Sequence, residues 1–418
     1  MNILLLHQYF LEEDGAGGTR FNEMTKIWSE QGHHITVLAG MMPDHTGRKR
    51  EEYRNKKFAI KIHNKVKVIR CHVNEAYNKN FAGRLWGYFS FVFYALWAGL
   101  FKTKGKFDLV LATSPPLFIG ITAYILSKAK KAPMVFEVRD LWPESVVDTG
   151  VIKNKMVIAF SKKLEKFIYA KASLINVLTP AFKENLIAKK GVLAEKIIYI
   201  PNAADVSLAQ KTMNSFNPSE LRKELMVEDK FVIIYVGAHG LANGLHQILD
   251  TAEVLKDTNV VFWLIGKGMK RNELIQMAHK REIKNVVFFE PVPKTEIYKY
   301  ILAADAGTSV LIKNETFKTI YSNKTFDYMS CKKPVLLAID GVSRDLVETA
   351  NCGLFIEPEN PGDFAEKVNN YLNNPKLVFD HGINGYNYVI KNFDRQKLAK
   401  KYINFLSSLV DNEMKNVI

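Results

Sequence analysis

The chain predicts an α/β protein made of two tandem Rossmann-like, doubly wound domains facing a cleft. Three observations carry this. Short apolar runs alternate with longer helix-periodic stretches, the mark of βαβ units and parallel sheets. The alternation breaks at Pro201-Asn202-Ala203-Ala204-Asp205 and then begins again. At 418 residues and 47% hydrophobic content, the chain is too long for one ordinary core and rich enough for two.

The strands expected in the first half are Ile3–Leu6, Ile35–Ala39, Val66–Arg70, Leu109–Ala112, Met134–Val138, Leu174–Val177 and Ile197–Ile200. Periodic stretches such as Phe21–Gln31, Leu117–Lys128, Lys155–Lys171 and Pro180–Lys190 separate them. After a polar stretch to about Pro218, strands are expected at Phe231–Tyr235, Val260–Ile265, Val286–Phe289, Ala306–Val310 and Pro334–Ala338. Asn243–Leu255, Met269–His279, Lys294–Leu302 and Asn323–Ser330 read as the helices between them, and Lys376–Val410 as two closing helices. The expected domains are 1–200 and 206–390, with a final helix in 391–418 packing back on the first. No short-period repeat or low-complexity segment is present.

The formal net charge of +15 admits nucleic acid, an anionic membrane surface or a phosphorylated substrate as partner. No helix-turn-helix, zinc-finger or RNP-type signature accompanies the basic residues, so nucleic acid is not expected. Cys71, Cys331 and Cys352 form neither a disulfide framework nor a metal pattern, which fits a reducing compartment and no metal. Met1–Phe10 lacks a basic n-region and enters a strand directly, so no signal peptide is expected.

Ligands of open α/β sheets bind beyond the carboxyl ends of strands, and the motifs of this chain fall there. In Ser322 to Val335, Lys324 and Asp327 lie at the start of a helix, where free N–H groups already favour an anion. Such a place can hold a diphosphate and a ribose together. A plain capping arrangement, with Asn323 as N-cap, is the other reading. Gly237-Ala238-His239-Gly240 follows a strand and lets the backbone approach phosphate, with His239 able to donate to an anionic oxygen. Lys267 in Ile265-Gly266-Lys267-Gly268 is a second candidate cation, and Glu290-Pro291-Val292-Pro293 is a rigid loop suited to a base edge.

In the first half, Gly15-Ala16-Gly17-Gly18-Thr19-Arg20 leads into a helix but is not GxGxxG, and no carboxylate ends the second strand. A nicotinamide-dinucleotide site is therefore disfavoured. Glu137-Val138-Arg139-Asp140-Leu141-Trp142-Pro143-Glu144-Ser145 gathers charges and a Trp at a strand end, suited to a hydroxylated ligand. Structural pairing of Arg139 with Asp140 or Glu144 is the alternative. Ser114-Pro115-Pro116 is a rigid turn on the same rim.

Leu85–Phe101 is apolar, with six aromatics among Trp86–Tyr94 and Lys102, Lys104 and Lys106 behind it. As a helix it would reach about 25 Å, the lower limit for a membrane span. A span there would divide the sheet, so the run reads as a helix that covers the sheet and dips into lipid with its other side. A buried helix is the alternative.

With these motifs in order, the chain resembles bacterial glycosyltransferases of the GT-B fold, from the family-4 group that builds capsule, O-antigen and related polysaccharides. The residues carrying the resemblance are His7-Gln8-Tyr9-Phe10 with Gly15 to Arg20, Glu137 to Ser145, Gly237 to Gly244, and Asn323 to Val335. The likeness is nearest to the subgroup that includes the L-fucosamine transferase of O-antigen assembly. It implies a nucleotide-sugar donor on the second domain, an acceptor on the first, retention of configuration and no catalytic metal or other cofactor. By position, Asp327 would hold the ribose hydroxyls, and Lys324, Lys267 and His239 would face the diphosphate. Val292 would face the base, while Gly17 and Gly18 would approach from the facing domain. The chain departs from the family's Glu-x7-Glu pattern. The later acid is Asp327, but Thr319 stands eight residues before it and Glu315 four further back. The usual Arg after the second-domain Gly motif is replaced by His239-Gly240.

The reading is a retaining glycosyltransferase that uses a UDP-linked N-acetylamino sugar. Its acceptor would be a polyprenyl-diphosphate-linked saccharide at the inner face of the cytoplasmic membrane, where the protein would sit peripherally. Candidate catalytic residues are Lys324, Asp327 and Asp140. Gly17, Gly18, Gly237, His239, Lys267, Val292 and Asn323 would join Lys324 and Asp327 around the donor, and Ser114, Arg139, Asp140, Trp142 and Glu144 would meet the acceptor. A nucleotide-sugar epimerase of the same fold and a non-catalytic basic binding module are the rivals.

Overall fold

The structure, a computed structural model, describes residues 1–12, 19–42, 49–78, 81–148 and 154–415. It divides into two compact units: Met1–Pro201 with Gln396–Ile418, and Asn202–Arg395.

Among the described residues the first unit has eight strands. They are β1 (Asn2–His7), β2 (His34–Gly40), β3 (Phe58–His63), β4 (Val66–Cys71), β5 (Leu109–Thr113), β6 (Met134–Val138), β7 (Leu174–Val177) and β8 (Ile197–Tyr199). They lie in the order β3-β4-β2-β1-β5-β6-β7-β8. All neighbours are parallel except β3 and β4. The strand order reverses between β1 and β5, so the crevice of this unit opens at their carboxyl ends. Parallel strands covered on both faces are largely apolar, as β1 and β5 are, and β6 departs from this only at the buried Glu137.

Sequence reading missed β3. It is an edge strand in the basic stretch before Val66, and it pairs back through Asn64 and Lys65, both at positive φ. A two-residue turn of that kind usually announces itself with glycine, and here the glycine is absent.

The final helix, Arg395–Lys415, lies from Gln396 onward with the first unit. Trp28 donates its indole N–H to Ala399 O at 2.9 Å and meets Tyr402 edge-on, with both rings buried.

The second unit has β9 (Phe231–Val236), β10 (Val260–Ile265), β11 (Val286–Phe289), β12 (Ala306–Val310), β13 (Val335–Ala338) and β14 (Gly353–Phe355), ordered β11-β10-β9-β12-β13-β14. Every neighbouring pair is parallel. β14, three residues long and half-buried, was too short to be legible. The stretch after Asp205 is not irregular. It forms the helix Val206–Ser215, capped by Asp205 through Leu208 N–H, and then Pro218–Glu224.

The switch point of this sheet lies between β9 and β12, whose ladder holds only Ala306↔Ile233 and Gly307↔Ile234. Beyond it the strands part, and the Tyr328 hydroxyl enters the gap. It accepts Val236 N–H at 3.0 Å and donates to Thr308 O at 3.2 Å. Gly307 makes room, since a Cβ there would stand 2.2 Å from the Tyr328 ring. The helix Asn323–Ser330 is thereby fixed over the opened crevice.

Candidate functional site

Three glycines bring the loops after β9 and β10 together. Gly237 and Gly266 both have φ of 149°, and a Cβ on Gly266 would stand 1.9 Å from Gly237 O. A Cβ on Gly268 would stand 2.4 Å from His239 O. No side chain larger than hydrogen fits at either place.

Lys324 rises from the first turn of Asn323–Ser330 into this corner. Its Nζ lies 4.8 Å from the Tyr235 ring centroid and 3.4 Å from Ser322 Oγ. A Cβ on Gly237 would approach Lys324 Cε to 3.1 Å, so the ammonium lies directly against the glycine turn. Burial lowers its pKa to about 8, with the Asp327 charge opposing. A half-buried ammonium with few partners is well suited to an incoming anion. Ser322 is the N-cap and donates from Oγ to Ser309 Oγ at 3.2 Å, without a side-chain cap bond. The capping reading, which put Asn323 at that position, is therefore corrected. Asn323 is the first helical residue and is exposed.

Asp327 is one turn further on and keeps partial exposure. Tyr298 donates to its Oδ1 at 3.0 Å, and Lys294 Nζ lies 3.6 Å from the same oxygen. These two residues, at the start of Lys294–Ala303, were not found by sequence reading. The Pro293 that opens their helix was the available signal. Val292, half-buried, immediately precedes it, and Lys267 is half-buried at the end of β10.

His239 is not on an open turn. It is fully buried under the β10 loop, with its ring 6.1 Å from Tyr235 and 6.3 Å from Phe288. Its N–H donates to Lys267 O, and its carbonyl accepts Lys270 N–H, each at 2.9 Å. Burial and the nearby Arg271 charge lower its pKa to about 4, so the ring is neutral, and both ring nitrogens lack a partner. In the loop after β12, Thr319 Oγ1 donates to Thr316 O, and Glu315 pairs with Lys318.

In the first unit the charges of the β6 end separate into inward and outward sets. Glu137 is fully buried in a bidentate pair with Arg20, 3.0 Å at each oxygen, and also accepts from Asn176. Arg20 goes on to the carbonyls of Ile200 and Pro201. Glu137 is thus a structural anchor and not part of a recognition rim. Arg139 donates toward His7 Nε2 at 3.2 Å, at the end of β1. His7 is buried, and desolvation holds it neutral. Burial pushes Asp140 to about 6 against the pull of Arg139.

Three acceptor-side expectations are narrowed. Trp142 is buried edge-on to Phe118, so its ring forms a wall and not an open stacking surface. Ser114 is buried and bridges Glu137 O and Arg139 N–H. Glu144 pairs with Lys190, which also holds Glu165. Gly17 and Gly18 lie outside the described residues.

The helix expected over Leu85–Phe101 runs Phe81–Phe101. One side buries Phe91, Ala95 and Ala98, and the other exposes Trp86, Phe89, Phe93, Trp97 and Phe101. Among the described residues, no helix is long and apolar enough to cross a membrane.

Glycine loops at a sheet switch point and a cation-carboxylate pair on the next helix are the arrangement of a doubly wound α/β protein suited to an anionic ligand. The chain belongs to the group 1, family-4 glycosyltransferases of GT-B fold. Residues 217–388 match the family described as glycosyl transferases group 1, and residues 15–203 match the glycosyl transferase 4-like domain. It is similar to the putative colanic acid biosynthesis glycosyl transferase WcaI of Escherichia coli K12, at 21% identity over 97% of this chain and 99% of that protein. It is also similar to the probable glycosyltransferase WbjE of Pseudomonas aeruginosa, at 24% identity over 62% of this chain and 65% of that one. Among solved structures, Anabaena HepE in complex with UDP-glucose superposes with a TM-score of 0.72, at 18% identity over 98% of this chain and 100% of that one. WaaG, a glycosyltransferase involved in lipopolysaccharide biosynthesis, gives 0.67, at 16% identity over 96% and 99%. The chain is a glycosyltransferase, and its relatives serve polysaccharide and cell-surface glycan synthesis.

Proposed function

We propose that the protein is a retaining transferase of a UDP-linked N-acetylamino sugar to a polyprenyl-diphosphate-linked saccharide, working at the inner face of the cytoplasmic membrane. The observation that carries the reading is the Lys324 ammonium held against the Gly237 turn, with Asp327 one turn away. The β-phosphate would lie on Lys324 and the glycine-loop N–H groups, and the ribose hydroxyls on Asp327. As the bond from sugar C1 to the phosphate oxygen breaks, charge gathers on that oxygen. A preorganised ammonium in a partly desolvated corner stabilises it there. The acceptor hydroxyl forms the new bond to C1, and its proton passes to the leaving phosphate. Lys267, His239, Val292 and Asn323 complete the donor side. Asp140 and Arg139 would orient the acceptor, with Ser114, Trp142 and Glu144 supporting their loop. The resemblance to this family supports retention and a reaction driven by these groups without a metal.

The test is a screen of nucleotide sugars for UDP release in the presence of lipid-linked saccharides, with the product anomer read by NMR. Release that requires both a UDP-N-acetylamino sugar and the lipid-linked saccharide supports the reading. Conversion of the sugar without any acceptor would make it an epimerase instead.

A further inference from the structure

We propose that the lipid-facing surface of the first unit extends well past the helix Phe81–Phe101 and includes a second helix, Lys155–Lys171. The partner is an anionic lipid bilayer. Sequence composition pointed to lipid only at the first helix.

The exposed residues of Lys155–Lys171 form two adjoining rows, one of Lys155, Ala159, Lys162, Lys166 and Ala170 and the other carrying the large apolar side chains. Met156, Phe160, Lys163, Phe167 and Lys171 recur at steps of three and four, and so lie along one side of the helix. Met156 is 79% exposed and Phe160 58%. The opposite side, with Ser161, Leu164, Glu165, Ile168 and Tyr169, is buried. An amphipathic helix of an ordinary soluble domain places lysine and glutamate where this one places methionine and phenylalanine.

The two helices are joined by a third, Ile119–Lys130. A Cβ on Gly99 would stand 2.5 Å from Leu126, and one on Gly120 would stand 2.5 Å from Ile168. The middle helix is therefore in close contact with both neighbours, and its own Ile125 is exposed. At the other side of Phe81–Phe101, Phe58 stacks on Trp97 at 5.1 Å and leads to the exposed Ile60 and Ile62 of β3. The apolar residues thus run from the edge strand across three helices. Exposed apolar side chains on four neighbouring elements are more than a soluble surface normally carries.

Charge identifies the occupant. The three helices contain a single acid, Glu165, which is buried and paired with Lys190. Lys128, Lys162, Lys163, Lys166 and Lys171 are exposed on or beside them, and Lys104 and Lys106 follow the first helix. Aromatic and aliphatic side chains ringed by lysines, with no exposed acid on the three helices, suit an interface of acyl chains and anionic headgroups. A second copy of this chain would bring the same positive charge against itself.

The proposal deepens the membrane placement of the proposed function, and its test needs no transfer reaction. Full-length protein would be floated with vesicles of phosphatidylcholine and phosphatidylglycerol, and UDP binding would be titrated in parallel. Wild type should float. The variant Met156→Ser, Phe160→Ser, Phe167→Ser should lose at least about tenfold in partitioning while binding UDP unchanged. Met226→Ser, at an 85% exposed position of the second unit, should float as wild type. Flotation of the triple variant equal to wild type would remove the second helix from the surface. Wild type that ignores vesicles, but forms a dimer abolished by the same three substitutions, would assign the patch to self-association and overturn the proposal. Failure of the transfer reaction with vesicle binding intact would count against the enzymatic reading alone.

Discussion

The Lys324 ammonium lies over the face of Tyr235, 4.8 Å from the ring centroid, with Gly237 packed against its last carbons. An aromatic face attracts a cation without neutralising it. The charge is held in place and remains available to a phosphate. Lys324→Ala should therefore reduce turnover by about 100- to 1000-fold, with no fall in melting temperature. Steady-state kinetics beside thermal melts would check it, and turnover within a few-fold of wild type would remove Lys324 from the site.

The depressed pKa of Lys324, about 8, makes donor binding depend on pH. Above pH 8 the free protein loses this proton, and a bound diphosphate must restore it. UDP affinity should fall by up to about tenfold per pH unit between 8 and 10. The sign for stability is opposite: because the folded pKa lies below the unfolded one, the cost of burying the charge is full below pH 8. That cost is relieved as pH rises toward the ordinary lysine range. Calorimetric titration of UDP across this range, on wild type and Lys324→Met, is the measurement, and only wild type should show the slope.

Asp327→Asn should weaken nucleotide binding and leave folding intact, because a carboxylate accepts two ribose hydroxyls more strongly than an amide does. Tyr298→Phe, which removes the hydrogen bond to Asp327, should give the same effect at smaller size, about three- to tenfold. Unaltered UDP affinity with a lowered melting point would return Asp327 to a structural role.

Tyr328→Phe tests the parted strands. It leaves the buried Val236 N–H and Thr308 carbonyl without their partner, which should cost about 1–3 kcal/mol in urea unfolding. UDP affinity should fall as well, because the same ring fixes the helix that carries Lys324 and Asp327.

Asp140, raised to about 6 by burial, should give kcat/KM for the acceptor a limb near pH 6. Activity should rise with pH as the carboxylate ionises. Asp140→Asn should flatten that limb while sparing UDP binding.

Much of this was readable in the sequence. Apolar runs such as Ile3–Leu6 and Val260–Ile265 can only be buried strands, and their ends showed where a ligand would lie. What could not be read was contact across distance. Nothing beside Tyr328 announces that its hydroxyl reaches both β9 and β12. Nothing beside Glu137 shows that Arg20, at the start of the far-upstream helix Arg20–Glu30, turns it inward. The charge cluster Glu137–Glu144 therefore looked like one rim, whereas burial divides it residue by residue. His239 shows the same limit: nothing in Gly237-Ala238-His239-Gly240 announces that the packing of the neighbouring loop covers its ring.

The pairing of Trp28 with Ala399 has a consequence for biogenesis. The indole N–H waits for a carbonyl 371 residues downstream, and Arg20 waits for Ile200 and Pro201. The second unit, Asn202–Arg395, is synthesised entirely within that interval. On a translating ribosome its β-sheet can close while the earlier unit still shows a bare groove around Trp28. Trp28 is thus among the last side chains of the first unit to be covered, and a nascent chain stalled before Ala399 would present that groove to a chaperone.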